Sequence, residues 1–161
     1  MPIKVSTCLL LPRHGTLAAT TSVCDLPPTG YTVVDVARTS ARSGGVAIIF
    51  RKHLKCLRLA VPVCRTMEVI CVRLITVSGP IIVMNVYRPG SEKPSALFFD
   101  ELASVLETLV SCSCPVVVGG DFNVRSQDPS DVDACRLDTV LASFDTAAVR
   151  LITAATPSTS C

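Results

Sequence analysis

Asp121 and Asn123 stand two residues apart in the stretch Pro115-Val-Val-Val-Gly-Gly-Asp-Phe-Asn-Val124, straight after a short apolar run and two glycines. A carboxylate there can orient or deprotonate a water, or bind a hard cation. An amide can donate to a phosphoryl oxygen without adding charge. The competing reading is an Asx turn, in which the pair bonds only its own backbone. A second candidate is Asn85-Val86-Tyr87-Arg88-Pro89. A phenol and a guanidinium at a strand end can hold a phosphate; alternatively Tyr87 closes a core edge, Arg88 is solvated and Pro89 ends the strand. A third is Arg42-Ser43-Gly44-Gly45-Val46-Ala47-Ile48, whose glycines either admit a phosphate or make a plain hairpin turn. Glu68 is a metal ligand or, on the simpler view, an exposed strand residue.

These residues need a frame to hold them. Strands are expected at Tyr31 to Val36, from Gly44-Gly45 to Phe50, at Glu68 to Leu74 and at Ile81 to Tyr87, the last continuous enough to be buried on both faces. The period then changes. Leu97, Phe98, Leu102, Val105, Leu106 and Leu109 recur at three- and four-residue steps, which predicts an amphipathic helix from about Ser95 to Ser111. Pro115 to Gly119 reads as a short buried strand, ended by Gly119 and Gly120, which leave room for another backbone or a ligand. That puts Asp121 and Asn123 at the carboxyl end of a strand, with Phe122 turned inward between them. Asp131 or Asp133 caps a second helix reaching about Phe144, with Leu137, Val140 and Leu141 inward. A last strand is expected at Ala148 to Ile152 and an early one around Val5 to Leu11. Strands first, then strand and helix in alternation, indicate an α/β or α+β layered domain.

Composition narrows the class. The 161 residues suit one domain, and 49% hydrophobic residues with 17% charged ones support a β-branched core rather than disorder. A formal charge of +2 does not by itself diagnose nucleic-acid or membrane binding. The longest apolar runs fall far short of the roughly 20 residues that span a bilayer, so no membrane partner is expected. The nine cysteines include no Cys-x-x-Cys pair. They read as reduced, mostly buried small hydrophobes of an intracellular protein, with no disulfide or zinc expected.

Taken in order, "RSGGVAIIFRKHL", "VRLITVSGPIIVMNVYRPG", the helix with "FFDELASVLETL" and "PVVVGGDFNV" resemble the endonuclease/exonuclease/phosphatase superfamily over about Leu26 to Thr156. The arrangement is most similar to the endonuclease domain of non-long-terminal-repeat retrotransposons, whose polyproteins also carry a reverse transcriptase. The resemblance implies an α/β (α+β) fold, a four-layer α/β/β/α sandwich of the deoxyribonuclease-like type, present here in part. It divides the chain into a divergent segment, 1–30, and a partial domain, 31–161. It implies Mg²⁺-dependent hydrolysis of a phosphodiester in DNA, as in target-site nicking. By position, Asp121 resembles the Asp that orients or deprotonates the attacking water and binds the metal. Asn123 resembles the Asn that stabilises the pentacovalent phosphate, and Tyr87 the Tyr that contacts the scissile phosphate. Arg88 and Arg42 are the candidate further contacts to that phosphate. The implied partners are DNA and the reverse transcriptase of the parent polyprotein, and the implied location is intracellular, nuclear when expressed with that element.

The same resemblance exposes gaps. The family's metal-binding Glu and its first-strand Asn belong to the region matching Leu11 to Tyr31, which contains neither; Asp25 is its only carboxylate. No Asp-His pair follows the last expected strand, and His14 and His53 lie in other contexts. With Asp121 as the sole protein carboxylate, Mg²⁺ is held weakly. Losing one donor at the developing charge costs on the order of a hundred- to a thousandfold in rate. The expectation is a truncated copy with little or no nuclease activity, an unpaired sheet edge and exposed apolar surface. Three alternatives remain: a phosphatase of the same fold, a non-catalytic remnant that binds nucleic acid weakly through Arg38, Arg42, Arg51, Lys52 and Lys55, and a folded domain with no ligand.

Overall fold

A computed structural model describes residues 29–37, 45–124, 130–144 and 149–153. The early strand expected near Val5 to Leu11, the turn at Arg42 to Gly44, and Arg38 lie outside the described residues.

Two sheets form. β1 (Tyr31–Ala37) and β2 (Gly45–Arg51) make an antiparallel pair, with Val36 opposite Val46 and Val34 opposite Ile48. The other sheet has five strands in the order β3-β4-β5-β6-β7: β3 (Lys55–Arg58), β4 (Glu68–Thr76), β5 (Gly79–Tyr87), β6 (Val116–Asp121) and β7 (Val149–Thr153). Pairing is antiparallel from β3 to β5 and parallel from β5 to β7. Both parallel connections carry a helix, α1 (Ala96–Val110) and α2 (Val132–Ser143), as parallel pairing requires.

Alternation along the strands sends side chains to two cores. On one face Cys71, Met84 and Val118 pack under α1 through Phe98, Phe99, Leu102, Val105, Leu106 and Leu109. On the other, Ile70, Val72, Leu74 and Val83 pack against Val46, Ile48 and Phe50 of β2. The described residues thus stack as β/β/α, three layers of the expected sandwich. Asn85, fully buried, joins the sheets by donating through Nδ2 to the Ala47 carbonyl (2.8 Å).

α1 begins and ends within a residue of expectation, with Ser95 Oγ accepting from the Phe98 N–H at 3.3 Å. Its buried stripe differs at one place: Leu97, expected inward, is exposed, and Phe99 packs inward instead, edge-on to Phe98 at 5.0 Å. The two phenylalanines fill the space between α1 and the sheet, so the stripe turns toward them. α2 is capped by Asp131, whose Oδ1 accepts from Asp133 and Ala134 N–H. Arg136 of α2 stacks on the Phe99 ring at 4.4 Å, tying the two helices together.

Three further expectations need correction. β3 was not foreseen: its four residues are all exposed and show no apolar alternation. Only its pairing with β4 makes it a strand. Gly119 and Gly120 do not end β6, which runs on to Asp121. Among the described residues the cysteines are not mostly buried either. Of the six described, all free thiols, Cys71 and Cys114 are buried, Cys64 is intermediate, and Cys56, Cys112 and Cys135 are exposed. The exposed three lie on an edge strand, after a helix end and on an outer helix face, where no apolar layer covers them. Burial pushes the thiols of Cys64 and Cys71 up to about 11 and about 12, so both stay protonated. Among the described residues no helix is long and apolar enough to cross a membrane.

Candidate functional site

The parallel pairing of β5 and β6 sets Tyr87 directly opposite Asp121, and the antiparallel pairing of β4 and β5 sets Glu68 opposite Tyr87. Glu68, Tyr87 and Asp121 therefore share one face in one cross-strand row, on neighbouring strands about 4.8 Å apart. The row lies at the mouth of the sheet, beyond the apolar row Val72–Val83–Val117 and the row Ile70–Asn85–Gly119. Tyr87 is partly buried against the β1–β2 core. Glu68 is half-buried, not the exposed strand residue of the simpler reading, and its Oε2 is shielded from solvent.

Gly120 explains how β6 comes so close to β5. Its φ is +138°, and a Cβ there would overlap the Val86 carbonyl oxygen. The close approach anticipated from the two glycines is thus made by the neighbouring strand's backbone. The ladder then continues past Tyr87, with Arg88 N–H donating to the Asp121 carbonyl at 2.9 Å.

After Asp121 the chain turns sharply. Phe122 goes into the helix-side core, as expected. Asn123 adopts φ +47°, a left-handed conformation that Asn tolerates better than most residues. Its backbone N–H donates to Asp121 Oδ1 at 2.9 Å, so the Asx turn and the paired site coexist. Its side chain crosses to the loop after β5, where Nδ2 donates to the Arg88 carbonyl. Gly90 makes room: a Cβ at that position would sit 2.8 Å from Asn123 Oδ1. Among the described residues, one N–H of the Asn123 amide has no acceptor and is available to an incoming oxygen.

Arg88 is not solvated, and most of its guanidinium donors are taken up by backbone carbonyls. It is buried at 5% exposure and donates through Nε to Phe122 O (2.7 Å), through one terminal nitrogen to Pro89 O and Glu92 O (both 2.8 Å), and through the other to Asn123 O (2.6 Å). Its guanidinium lies over the Phe98 ring at 5.7 Å. Burial pushes it down from its ordinary value, while Asp121 and Asp133 work to hold it up. Arg42, the other proposed phosphate contact, lies outside the described residues, and so do His14 and Asp25. Lys52 and Lys55 are exposed at the turn between β2 and β3; Arg51, also exposed, stacks on Tyr31 at 4.5 Å.

Beside Asn123 a cleft of about 530 Å³ is lined by Arg88, Gly90, Lys93, Asn123, Asp131 and Asp133, among others. Among the described residues no three His, Cys, Asp or Glu side chains gather where a metal ion would sit. Asp121, with one oxygen already accepting from Asn123, is the carboxylate at the mouth with a defined neighbour in the pair. The described residues do not by themselves form a cage for Mg²⁺.

The structure brings together Asp121, Asn123 and Tyr87, the three candidates singled out from the sequence; the space left by Gly90 and the structural work of Arg88 were not foreseen from it. The Pro89-Gly90 pair after a buried strand was the available signal for a tight loop at the site.

The chain matches the model of the Endonuclease/Exonuclease/phosphatase family over residues 7–158. It belongs to that family. Among solved structures it is similar to the endonuclease domain of TRAS1, a telomere-specific non-LTR retrotransposon, at 18% identity and a TM-score of 0.50, covering 70% of this chain and 52% of that one. That likeness bears on the fold, and the chain spans about half of that structure's length. It is also similar to ANGEL2, a 2',3'-cyclic phosphatase in complex with adenosine-2',3'-vanadate, at 23% identity and a TM-score of 0.42, covering 59% of this chain and 33% of that one. A search of the curated proteins returned no match.

Proposed function

We propose that the mouth of β5 and β6 is a phosphodiester site of the DNA-cleaving type, and that this chain cleaves DNA weakly or not at all. The observation that carries the reading is the register that sets Tyr87 opposite Asp121, with Asn123 anchored to the same carboxylate. In this reading Asp121 takes the proton of an attacking water or orients it. The spare N–H of Asn123 and the Tyr87 hydroxyl donate to phosphoryl oxygens as charge builds on them. If Mg²⁺ binds here, Asp121 would be the residue to hold it, and the ion would supply further neutralisation of that charge. Weak cleavage follows from the donor count. The residues given hold no Glu before Glu68 and no Asn before Asn85, the stretch in which the resemblance expects the family's N-terminal pair. The substrate class is DNA, and the partner this class implies is a reverse transcriptase of the same element.

A second reading, binding without cleavage, is favoured by the exposed Arg51, Lys52 and Lys55 at one turn. The test is plasmid nicking in Mg²⁺ by wild type and Asp121→Ala, beside a titration with a short duplex at two salt concentrations. Salt-weakened binding with little nicking is expected. Robust nicking by wild type alone would overturn the weak-cleavage half. Absence of any duplex binding would overturn the nucleic-acid half.

A further inference from the structure

We propose that Arg88 is the positioning residue of this site: its planar fork clamps the loop after β6 to the loop after β5 and so holds Asn123, and through it Asp121, beside Tyr87. The functional consequence rests on the phosphodiester reading above; the clamp itself does not.

Four of the five guanidinium N–H groups are committed to carbonyls, and those carbonyls come from two loops. Pro89 and Glu92 belong to the loop after β5, Phe122 and Asn123 to the loop after β6. The tie is returned from the other side, since Asn123 Nδ2 donates to the carbonyl of Arg88 itself. The backbone adds a third link, from Arg88 N–H to Asp121 O. Every residue from Asp121 to Asn123 is thus bonded to Arg88, each through its main chain. This density of bonds is what a left-handed Asn requires, because a strained φ persists only where its surroundings over-determine it. Gly90 completes the seat by leaving space for the Asn123 carboxamide.

The charge matters as well as the shape. Arg88 stays protonated at every working pH, and its field reaches both Asp121 and Asp133. A site that must accept an anionic phosphate beside a carboxylate gains from a fixed positive charge underneath. Arg88 provides one from beneath the two loops that it ties together. Lysine would keep that charge but not the fork, since its three donors radiate from a single nitrogen.

The experiment compares wild type, Arg88→Lys and Arg88→Gln by amide hydrogen exchange and by the Asn123 side-chain NH₂ resonances, with the urea midpoint as the check on the global fold. The probe is the dinucleoside monophosphate TpT. Expected in Arg88→Lys is a kept cooperative transition with Asn123 N–H exchange faster by about tenfold or more, the size of one lost net hydrogen bond. The Asn123 NH₂ signals shift, and the TpT-induced shifts at Tyr87 and Asn123 shrink. Unchanged Asn123 exchange and side-chain signals in both variants would overturn the proposal. So would loss of the global fold in both, which would make Arg88 a core residue. Changed Asn123 signals, with wild type indifferent to TpT, would leave the clamp standing and reject the phosphodiester reading instead.

Discussion

On the helix side of the five-stranded sheet, Cys71, Met84 and Val118 stand in one cross-strand row sealed under α1. On the opposite side, three residues further toward the mouth, Glu68, Tyr87 and Asp121 stand in another. The same three strands build both rows, and alternation sends their residues to opposite faces. The first row has apolar neighbours on every side. The second begins apolar, at Val72–Val83–Val117, and turns polar only where the sheet meets solvent. A stable face and a chemical face can therefore be separated by one residue along a strand. What couples them is Arg88, which leaves β5 on the helix side, lies over Phe98, and reaches back to hold the loop that carries Asn123.

That contrast can be tested by substitutions whose effects divide between the two faces. The largest cost falls on the helix face. Leu102→Ala, in a fully buried position, should destabilise the fold by about 2–5 kcal/mol, read from urea unfolding. At the junction of the faces, Gly120→Ala demands a left-handed alanine and overlaps the Val86 carbonyl. It should cost on the order of 1–3 kcal/mol and disturb the β5–β6 pairing, visible as lost amide protection at Arg88. An effect as small as that of an ordinary surface change would contradict the close approach.

Glu101 offers a milder case. Its carboxylate accepts from Arg65 N–H (2.8 Å), Thr66 N–H (3.0 Å) and the Thr66 hydroxyl (2.6 Å), fastening α1 to the segment that leads into Glu68. Partial burial would raise its pKa, but these hydrogen bonds, with the Arg65 charge, outweigh it and leave it below the ordinary value. A lowered folded pKa means a contribution present above the unfolded value, about 4.3, and lost as pH falls through the folded one. Glu101→Gln should cost about 1 kcal/mol at neutral pH. It should also flatten the loss of stability on acidification, measured by urea midpoints from neutral pH to below about pH 4.

The smallest expected effect on stability is the most local. Gly90→Ala should change the urea midpoint by less than about 1 kcal/mol, because the loop is exposed. It should nonetheless displace the Asn123 carboxamide, whose oxygen sits 2.8 Å from the new Cβ position. A shifted Asn123 NH₂ resonance with a native fold is the outcome to look for; an unmoved one would show that the seat has slack.

Much of this was legible in the residues themselves. Strand periodicity located β1, β2, β4, β5 and β6, and the three- and four-residue spacing located α1 and α2, because local pattern reports local geometry. The exceptions have physical causes. β3 has no pattern of its own and exists through pairing with β4. Leu97 and Phe99 exchanged places because packing between Phe98, Phe99 and Arg136 decides which side of a wide apolar stripe turns inward.

By itself the sequence determined the order of the elements other than β3, pointed to the family, and singled out Tyr87, Asp121 and Asn123 as candidates, since each lies at or just beyond the end of a strand that its own apolar run defines. Only the tertiary structure decided what surrounds them. The partners of Arg88 in the loop after β6 lie 34 and 35 residues away in the chain, and the Asn123 amide returns over the same distance. Gly120 is glycine because of a carbonyl on another strand, Gly90 because of a side chain on another loop, and Glu68 joins the row of Tyr87 through strand register. Such contacts depend on how strands align after folding, and no local pattern of residue types carries that information.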